Sequence, residues 1–413
     1  MTKLDIVIDE LDGALWAAAI DSKRRLFALE CDAVDEEVRW GSIFLGKIET
    51  IDKKLDACWV NIGVKDHMGL LPRKEWPDPN TTPQAGTFLT VQAKTGISNK
   101  KSIMETEQSD EQKLLLKIKL EPKMARLSTD VTLPGRYVIF APGETENRLS
   151  RRINDRKVRR NMTHMLKDLT EVLQGYILRS SAKNVQTDML VREGKILHKK
   201  WNDLHDASTN ASGPKLLAHG PNAIERILSD MSGCQIENIY VSLLDHFDCA
   251  EEWCETFAPD FMTKIAPVEL NNATDDFALF DHYDLIPQIE NVLSPYSMLP
   301  GGGNIILQQT AALMAIDVNR GEDRTSSNLE LNIEAAHEAG RQLRLRNIGG
   351  IILIDFLKMK TKADEGRVIA AMEEAIANDA CTVQIHGMTE LGLMEVTRQR
   401  RLPPLNERIS FTI

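Results

Sequence analysis

Apolar and polar residues alternate along the first part of the chain as strands require. The runs "LDIVID" (4–9) and "ALWAAAI" (14–20) read as two strands, with "ELDG" as the hairpin-type turn between them. Short apolar segments then recur between Gly, Asn and Asp turns in "EEVRWGSIFLGKIETID", "KKLDACWVNIGVKDHMGLLPRKE", "GTFLTVQAKTG" and "MARLSTDVTLPGRYVIFAP". Many short strands in one compact stretch predict a small barrel. The charged segment "SNKKSIMETEQSDEQKLLLKIKLEPK" lacks strand alternation and reads as a loop or short helix inserted in it.

The period then changes. Residues 153–176 carry apolar positions at helical spacing, "GYILRSS" reads as a strand, and "MLVREGKILHKKWNDLHDAS" reads as a long helix followed by a loop over 209–215. Further on, "CQIENIYVS", "NIILQQT" and "AALMAIDVN" are strand-like, and "NLELNIEAAHEAGRQLRLRN" is a helix running into Gly349 and Gly350. After it come "IILIDF" as strand, "DEGRVIAAMEEAIAND" as helix and "CTVQIHG" as strand. This β-α-β-α-β order predicts parallel strands joined by right-handed crossovers.

The length of 413 residues implies more than one domain. A 42% hydrophobic and 27% charged composition is that of a soluble globular protein. The N-terminus lacks the continuous apolar core of a signal peptide, and no apolar run approaches the roughly 18 residues of a membrane span. A cytoplasmic protein with no membrane partner is expected. The six cysteines are scattered. Cys249 and Cys254 are the closest pair, but no second pair or HxxxH completes a zinc pattern, so reduced thiols and no zinc are expected. The net charge of −11 is unevenly placed: Arg148 to Lys200 holds 14 Lys/Arg against 5 Asp/Glu, whereas Asp245 to Glu290 is acid-rich. Such segregation lets one face attract a polyanion while another repels it, although a single basic run can also be a solvated surface.

Candidate chemistry centres on "LMAIDVNRGED" and "GGIILIDFLKM", two apolar strands that each end on a carboxylate, Asp317 and Asp355. In a parallel sheet, ligands gather at the carboxyl ends of strands. On neighbouring strands, about 4.8 Å apart, the two acids could share a hydrated divalent cation, with Asn319 orienting a carboxylate or a phosphate oxygen. A strand-end Asp alone more often caps the next helix. Arg341, Arg344, Arg346, Arg398, Arg400 and Arg401 would suit a phosphate-rich substrate, or they could be exposed helix faces. "LPGGGN" (299–304) lacks the Lys-Ser/Thr of a phosphate loop and reads as a tight turn, and His337 and His386 stand isolated.

The stretches "TAALMAIDVNRG", "NLELNIEAAHEAGRQLRLRNIGGIILIDFLKM" and "LGLMEVTRQR" resemble the catalytic core of the ribonuclease E/G family of bacterial endoribonucleases. "FDHYDLIPQIENVLSPYSMLPGGGNIILQQT" resembles the segment that precedes that core, "GSIFLGKIETIDKKLDACWVNIGVKDHMGLLP" the family's S1 barrel, and "NRLSRRI" with "GYILRSS" its 5′-end sensor. The resemblance implies a multi-domain α+β chain. A ribonuclease H-like region (1–40 and 223–290) would be interrupted by an S1 β-barrel (41–125) and a basic 5′-sensor region (126–222), and a metal-dependent α/β domain (291–413) would follow. It implies that Asp317 and Asp355 bind Mg²⁺, or Mn²⁺, with Asn319 beside them, and that Arg179 grips a 5′-monophosphate with Ser180, Gly135 and Ile139 around it. Trp59 matches an S1 aromatic that holds RNA, and Lys123 an S1 lysine. Leu70 stands near where a second aromatic is expected, and the insert around 97–118 is unfamiliar. The resemblance stops at Ile413, without the family's zinc-sharing cysteine pair and small domain, so a monomer or a dimer not linked by zinc is expected.

The resemblance thus implies an endoribonuclease that hydrolyses single-stranded RNA to 5′-phosphate and 3′-hydroxyl ends, stimulated by a 5′-monophosphate on the substrate. The alternatives are an RNA-binding scaffold without catalysis and a metal-dependent phosphatase acting on small molecules. The latter would leave the barrel and the basic middle without a purpose.

Overall fold

A computed structural model describes residues 2–11, 13–32, 36–78, 81–98, 124–153, 156–170, 172–321 and 327–409. Lys123 and most of the insert around 97–118 lie outside the described residues. The chain forms two compact units, one from the N-terminus to Asp32 together with Ala223–Ile409, the other from Ala33 to Asn222. The fold is mixed α/β with several sheets, in agreement with the multi-domain α+β expectation.

In the first unit, strands Lys3–Leu11, Ala14–Asp21 and Leu26–Cys31 make an antiparallel meander. The first turn uses Gly13 at φ +74°, a conformation that costs glycine little. Gln235–Val241 and Ile265–Pro267 add in parallel to the other side of Lys3–Leu11, giving a five-stranded sheet. Ala17 and Ala19 are fully buried on one face, and their small side chains let helix Ala223–Met231 lie close on the sheet. Asp9 is only 1% exposed. Its two carboxylate oxygens accept the amides of Glu10 and Phe280, so it is spent on backbone rather than open to a ligand.

The second sheet of this unit runs Tyr296–Met298, Asn304–Gln309, Leu313–Asn319, Gly350–Asp355, Leu393–Arg398, Val383–Met388 in spatial order. Helix Asn328–Leu345 starts in a capping box of Ser327 and Glu330, helix Lys362–Ile376 in one of Thr361 and Asp364. Both helices pack against the buried residues of this sheet, among them Ile316, Ile352 and Met394. The strands alternate buried and accessible residues, so the opposite face stays open.

One expectation is corrected here. The strands after the two helices are not all parallel neighbours: only Leu313–Asn319 and Gly350–Asp355 pair in parallel. Val383–Met388 turns back through Gly392, at φ +89°, into Leu393–Arg398. That return strand takes the place beside Gly350–Asp355, antiparallel to it. A short connection closes a hairpin, whereas a parallel neighbour needs a long crossover.

In the second unit, Ile43–Asp52, Ala57–Asn61, Met68–Pro72, Ala125–Ser128 and Phe88–Ala93 close into a five-stranded barrel, with Lys215–Ala218 adding to the side of Ile43–Asp52. Phe44, Ile48, Val60, Leu71, Val91 and Leu127 fill it. Gly69 sits where strands crowd: a Cβ there would come within 2.2 Å of Leu127 Cδ1, so the Leu127 side chain would have to shift. A separate four-stranded sheet of Leu133–Pro134, Val138–Phe140, Tyr176–Leu178 and Arg148–Leu149 is accompanied by helices Arg156–Thr170 and Thr187–Thr209.

Buried ion pairs tie the first unit together. Arg226 donates to Glu30 at 2.8 Å and pairs with Asp32 at 2.9 Å, while Arg401 reaches Glu30 and Asp230, each at 2.6 Å. Burial alone would raise the Glu30 carboxyl, but the guanidinium groups of Arg401, Arg226 and Arg408 outweigh it and hold it at about 2. The folded state therefore binds this proton less tightly than the unfolded chain. The stabilisation is present above the ordinary carboxyl range near 4.5 and is lost as pH falls toward 2. Glu30→Gln should destabilise the protein by about 3 kcal/mol at pH 7, and the gap from wild type should narrow steadily below pH 4.5. Denaturant melts across that range test it, and a pH-independent gap would contradict it.

Candidate functional site

Register brings the two acids together. Leu313–Asn319 and Gly350–Asp355 pair in parallel with Asp317 directly opposite Asp355. Ile316 and Ile354 point into the core at 1% and 0% exposure, so the next residue on each strand must face the open side. Both aspartates are exposed there, on strands about 4.8 Å apart. Asn319 follows Asp317 on the same face, and its Nδ2 donates to Asp317 Oδ2 at 2.9 Å, which orients that carboxylate. Neither Asp is a helix cap, because Ser327 and Thr361 fill those positions.

Asp355 is held from behind. Asn332 is fully buried in helix Asn328–Leu345. Its Nδ2 donates to the Leu357 carbonyl at 2.7 Å, and its Oδ1 accepts the Leu357 amide at 3.0 Å. Asn328 Nδ2 donates to the Lys358 carbonyl at 2.8 Å. The loop leaving Asp355 is thereby fastened to the helix that joins the two strands. This clamp is absent from the sequence reading. Its signal was a polar residue inside the buried stripe Leu331, Asn332, Ala335, Ala336, Ala339.

The donor set fits a hard cation. Two carboxylates and an amide oxygen are all-oxygen ligands, and Mg²⁺ is commonly held by one or two carboxylates with its remaining positions left to water and substrate oxygens. Among the described residues no group of three or more His, Cys, Asp or Glu could hold a metal.

The arginines named as phosphate partners are largely engaged elsewhere. Arg398 is 4% exposed and forks onto Asp379, at 3.0 Å and 2.9 Å. Arg344 is buried, donates to the Phe27 carbonyl and lies over the Phe27 ring. Arg341 pairs with Glu338, Arg346 donates to Gln342, Arg400 donates to the Gly349 carbonyl, and Arg401 joins the ion pairs above. His337 is exposed on its helix and His386 contacts Thr397.

In the second unit the structure brings Arg179, Ser180, Gly135 and Ile139 together. Arg179, 7% exposed, follows strand Tyr176–Leu178, and its guanidinium donates to the Gly135 carbonyl at 2.6 Å while its amide donates to the Tyr137 carbonyl. Ile139 lies in register with Ile177, and Ser180 is exposed just past Arg179. Glu193, from helix Thr187–Thr209, accepts the amides of Tyr137 and Val138 at 2.8 and 3.0 Å. Burial pushes its carboxyl up to about 7. A Cβ at Gly135 would meet Glu193 Oε1 at 2.2 Å, so glycine is needed there. Glu193 was also missed. It sits in the buried stripe Leu190, Glu193, Gly194, Leu197.

Trp59 belongs to the barrel wall rather than its core. Its neighbours Cys58 and Val60 point inward, whereas Trp59 is half-buried on the outer side of the wall. Leu70 faces it across the strand pair. Phe88, 47% exposed, stands opposite Lys47 two strands away from the Trp59 strand.

Sequence comparison places this geometry in a family. The profile of the Ribonuclease E/G family matches residues 132–401, and the chain belongs to that family. It is 29% identical over 369 residues to ribonuclease E of a Nostoc species, covering 87% of this chain and 51% of that protein. Similarity to ribonuclease G of Salmonella typhimurium is 29% over 366 residues, covering 87% and 72%. Similarity to ribonuclease E of a Synechocystis species is 30% over 369 residues, covering 87% and 52%. The chain thus spans about half the length of the ribonuclease E relatives. Among the described residues no helix is long and apolar enough to cross a membrane.

Removing the Asn332 clamp should loosen the site. Asn332→Ala strands two buried backbone groups and should cost about 1–3 kcal/mol, with faster hydrogen exchange at the Leu357 amide. Unchanged exchange at Leu357 would show that the clamp is not what holds the loop.

Proposed function

We propose that this chain is a divalent-metal-dependent endoribonuclease that hydrolyses single-stranded RNA in RNA processing or decay. The observation that carries the reading is the in-register pair Asp317 and Asp355 on an open sheet face, with Asn319 bonded to Asp317, in a chain of the Ribonuclease E/G family. Asp317 and Asp355 would hold one Mg²⁺, or Mn²⁺ in its place. Such an ion, when bound, supplies charge neutralisation at the phosphodiester and a lowered pKa for a ligand water. Asn319 keeps the Asp317 carboxylate turned toward the site. The water oxygen bonds to phosphorus, the bond from phosphorus to the 3′ oxygen breaks, and that oxygen takes a proton. The products carry 5′-phosphate and 3′-hydroxyl ends.

The second unit supplies the substrate grip in this reading. Trp59 offers a ring for base stacking, worth about 1–3 kcal/mol per base and tolerant of sequence. Arg179 receives a 5′-monophosphate, for which a guanidinium fork is well shaped, with Gly135, Ile139 and Ser180 around it. The competing reading, an RNA-binding scaffold without catalysis, draws on Leu70, which leaves Trp59 without an aromatic partner across the strand pair.

Asp355→Asn should lower cleavage of a short 5′-labelled RNA by roughly a hundredfold or more and leave RNA affinity within a few-fold. EDTA should stop the wild type, and Mg²⁺ should restore it. Cleavage by the variant at the wild-type rate would refute the site, and a wild type inactive with either metal would favour the scaffold. A separate test concerns Arg179: Arg179→Gln should bring the rate ratio of 5′-monophosphate to 5′-hydroxyl RNA close to one. If the wild-type ratio is already one, or the variant keeps it, the 5′-phosphate role falls.

A further inference from the structure

We infer that the exposed basic stripe of helix Arg156–Thr170 binds the phosphodiester backbone of single-stranded RNA. This rests on the proposed RNA substrate and goes beyond it, since no residue of this helix belongs to either site described above. The helix holds five Lys/Arg against one acid. Arg156, Arg160, His164 and Lys167 are all exposed and recur at four, four and three residues, so they lie along one side. At 1.5 Å per residue the stripe is about 16 Å long.

The helix is charged against its own stability. Its first turn contains no acid but carries Arg156, Lys157 and Arg159, although a helix N-terminus favours negative charge. Arg156 and Arg160 are like charges four residues apart, another unfavourable pairing. Natural proteins accept locally adverse charge of this kind at functional surfaces. Its apolar residues Met162 and Leu169 are buried, which leaves no apolar side for a lipid bilayer.

Position selects RNA over an acidic protein. The helix packs on strand Arg148–Leu149 and on the turn Ser180–Asn184. Arg148–Leu149 pairs in parallel with Tyr176–Leu178, which runs directly into Arg179. The helix that carries the stripe therefore borders the segment that carries Arg179 and Ser180, where nucleotides next to a bound 5′ end would pass.

The test compares the full chain with a variant carrying Arg156→Gln, Arg160→Gln and Lys167→Gln. Glutamine keeps helix propensity, and circular dichroism checks the fold. The control is Lys23→Gln, Lys362→Gln and Arg367→Gln, three exposed positions elsewhere. Binding of a mixed-sequence single-stranded RNA is measured from low to high salt. The stripe variant should lose about 2 from the slope of log affinity against log salt, at about 0.7 per phosphate contact, and the loss should be equal for 5′-monophosphate and 5′-hydroxyl RNA. The control should keep the wild-type slope. Thr163, exposed within the stripe, allows a gain: Thr163→Lys should steepen the slope by about 0.7. If the wild type binds RNA but the stripe variant keeps its slope, or loses affinity for 5′-monophosphate RNA alone, this inference is overturned and the substrate reading stands. If the wild type binds no RNA at low salt, the substrate reading itself falls.

Discussion

The pairing of Leu313–Asn319 with Gly350–Asp355 is the constraint on which the candidate active site rests. Parallel strands cannot be joined by a tight turn, so helix Asn328–Leu345 must carry the chain back across the sheet. That helix does three things at once. It covers the apolar face, it sets the register through burial of Ile316, Ile352 and Ile354, and through Asn332 it fastens the loop beyond Asp355. The acids themselves contribute nothing to this packing. They are placed by residues of opposite character on the other side of the same strands.

The second unit follows a comparable logic. Arg179, Gly135 and Glu193 are buried and mutually engaged through backbone groups, so the turn between Gly135 and Val138 is defined from two sides. Around this rigid centre, the charged helix Arg156–Thr170 is exposed. If the proposed RNA substrate is bound here, short-range contacts and long-range charge would come from different residues.

Much of this was legible in the sequence, for reasons that can be stated. Strand and helix periods located the elements around Asp317 and Asp355, because an apolar run ending on an acid is visible without a partner. The direction of Leu393–Arg398 was not, since alternation is the same in parallel and antiparallel strands. The partners of Arg344, Arg398 and Arg401 were equally hidden: Phe27, Asp379, Glu30 and Asp230 are mostly remote in the chain, and charge alone does not separate a surface arginine from a buried one. Asn332 and Glu193 were overlooked although each interrupts an apolar stripe. A polar residue in such a stripe has to find a partner, and here the partner is backbone 25 or 56 residues away.

Strand alternation around Asp317 has a further outcome. Sliding either of the two strands by one position would bury an aspartate and push Ile316 or Ile354 into water. A misaligned molecule would therefore lose the facing aspartates and its cohesion together. By that route no well-packed molecule with Asp317 and Asp355 out of register would accumulate.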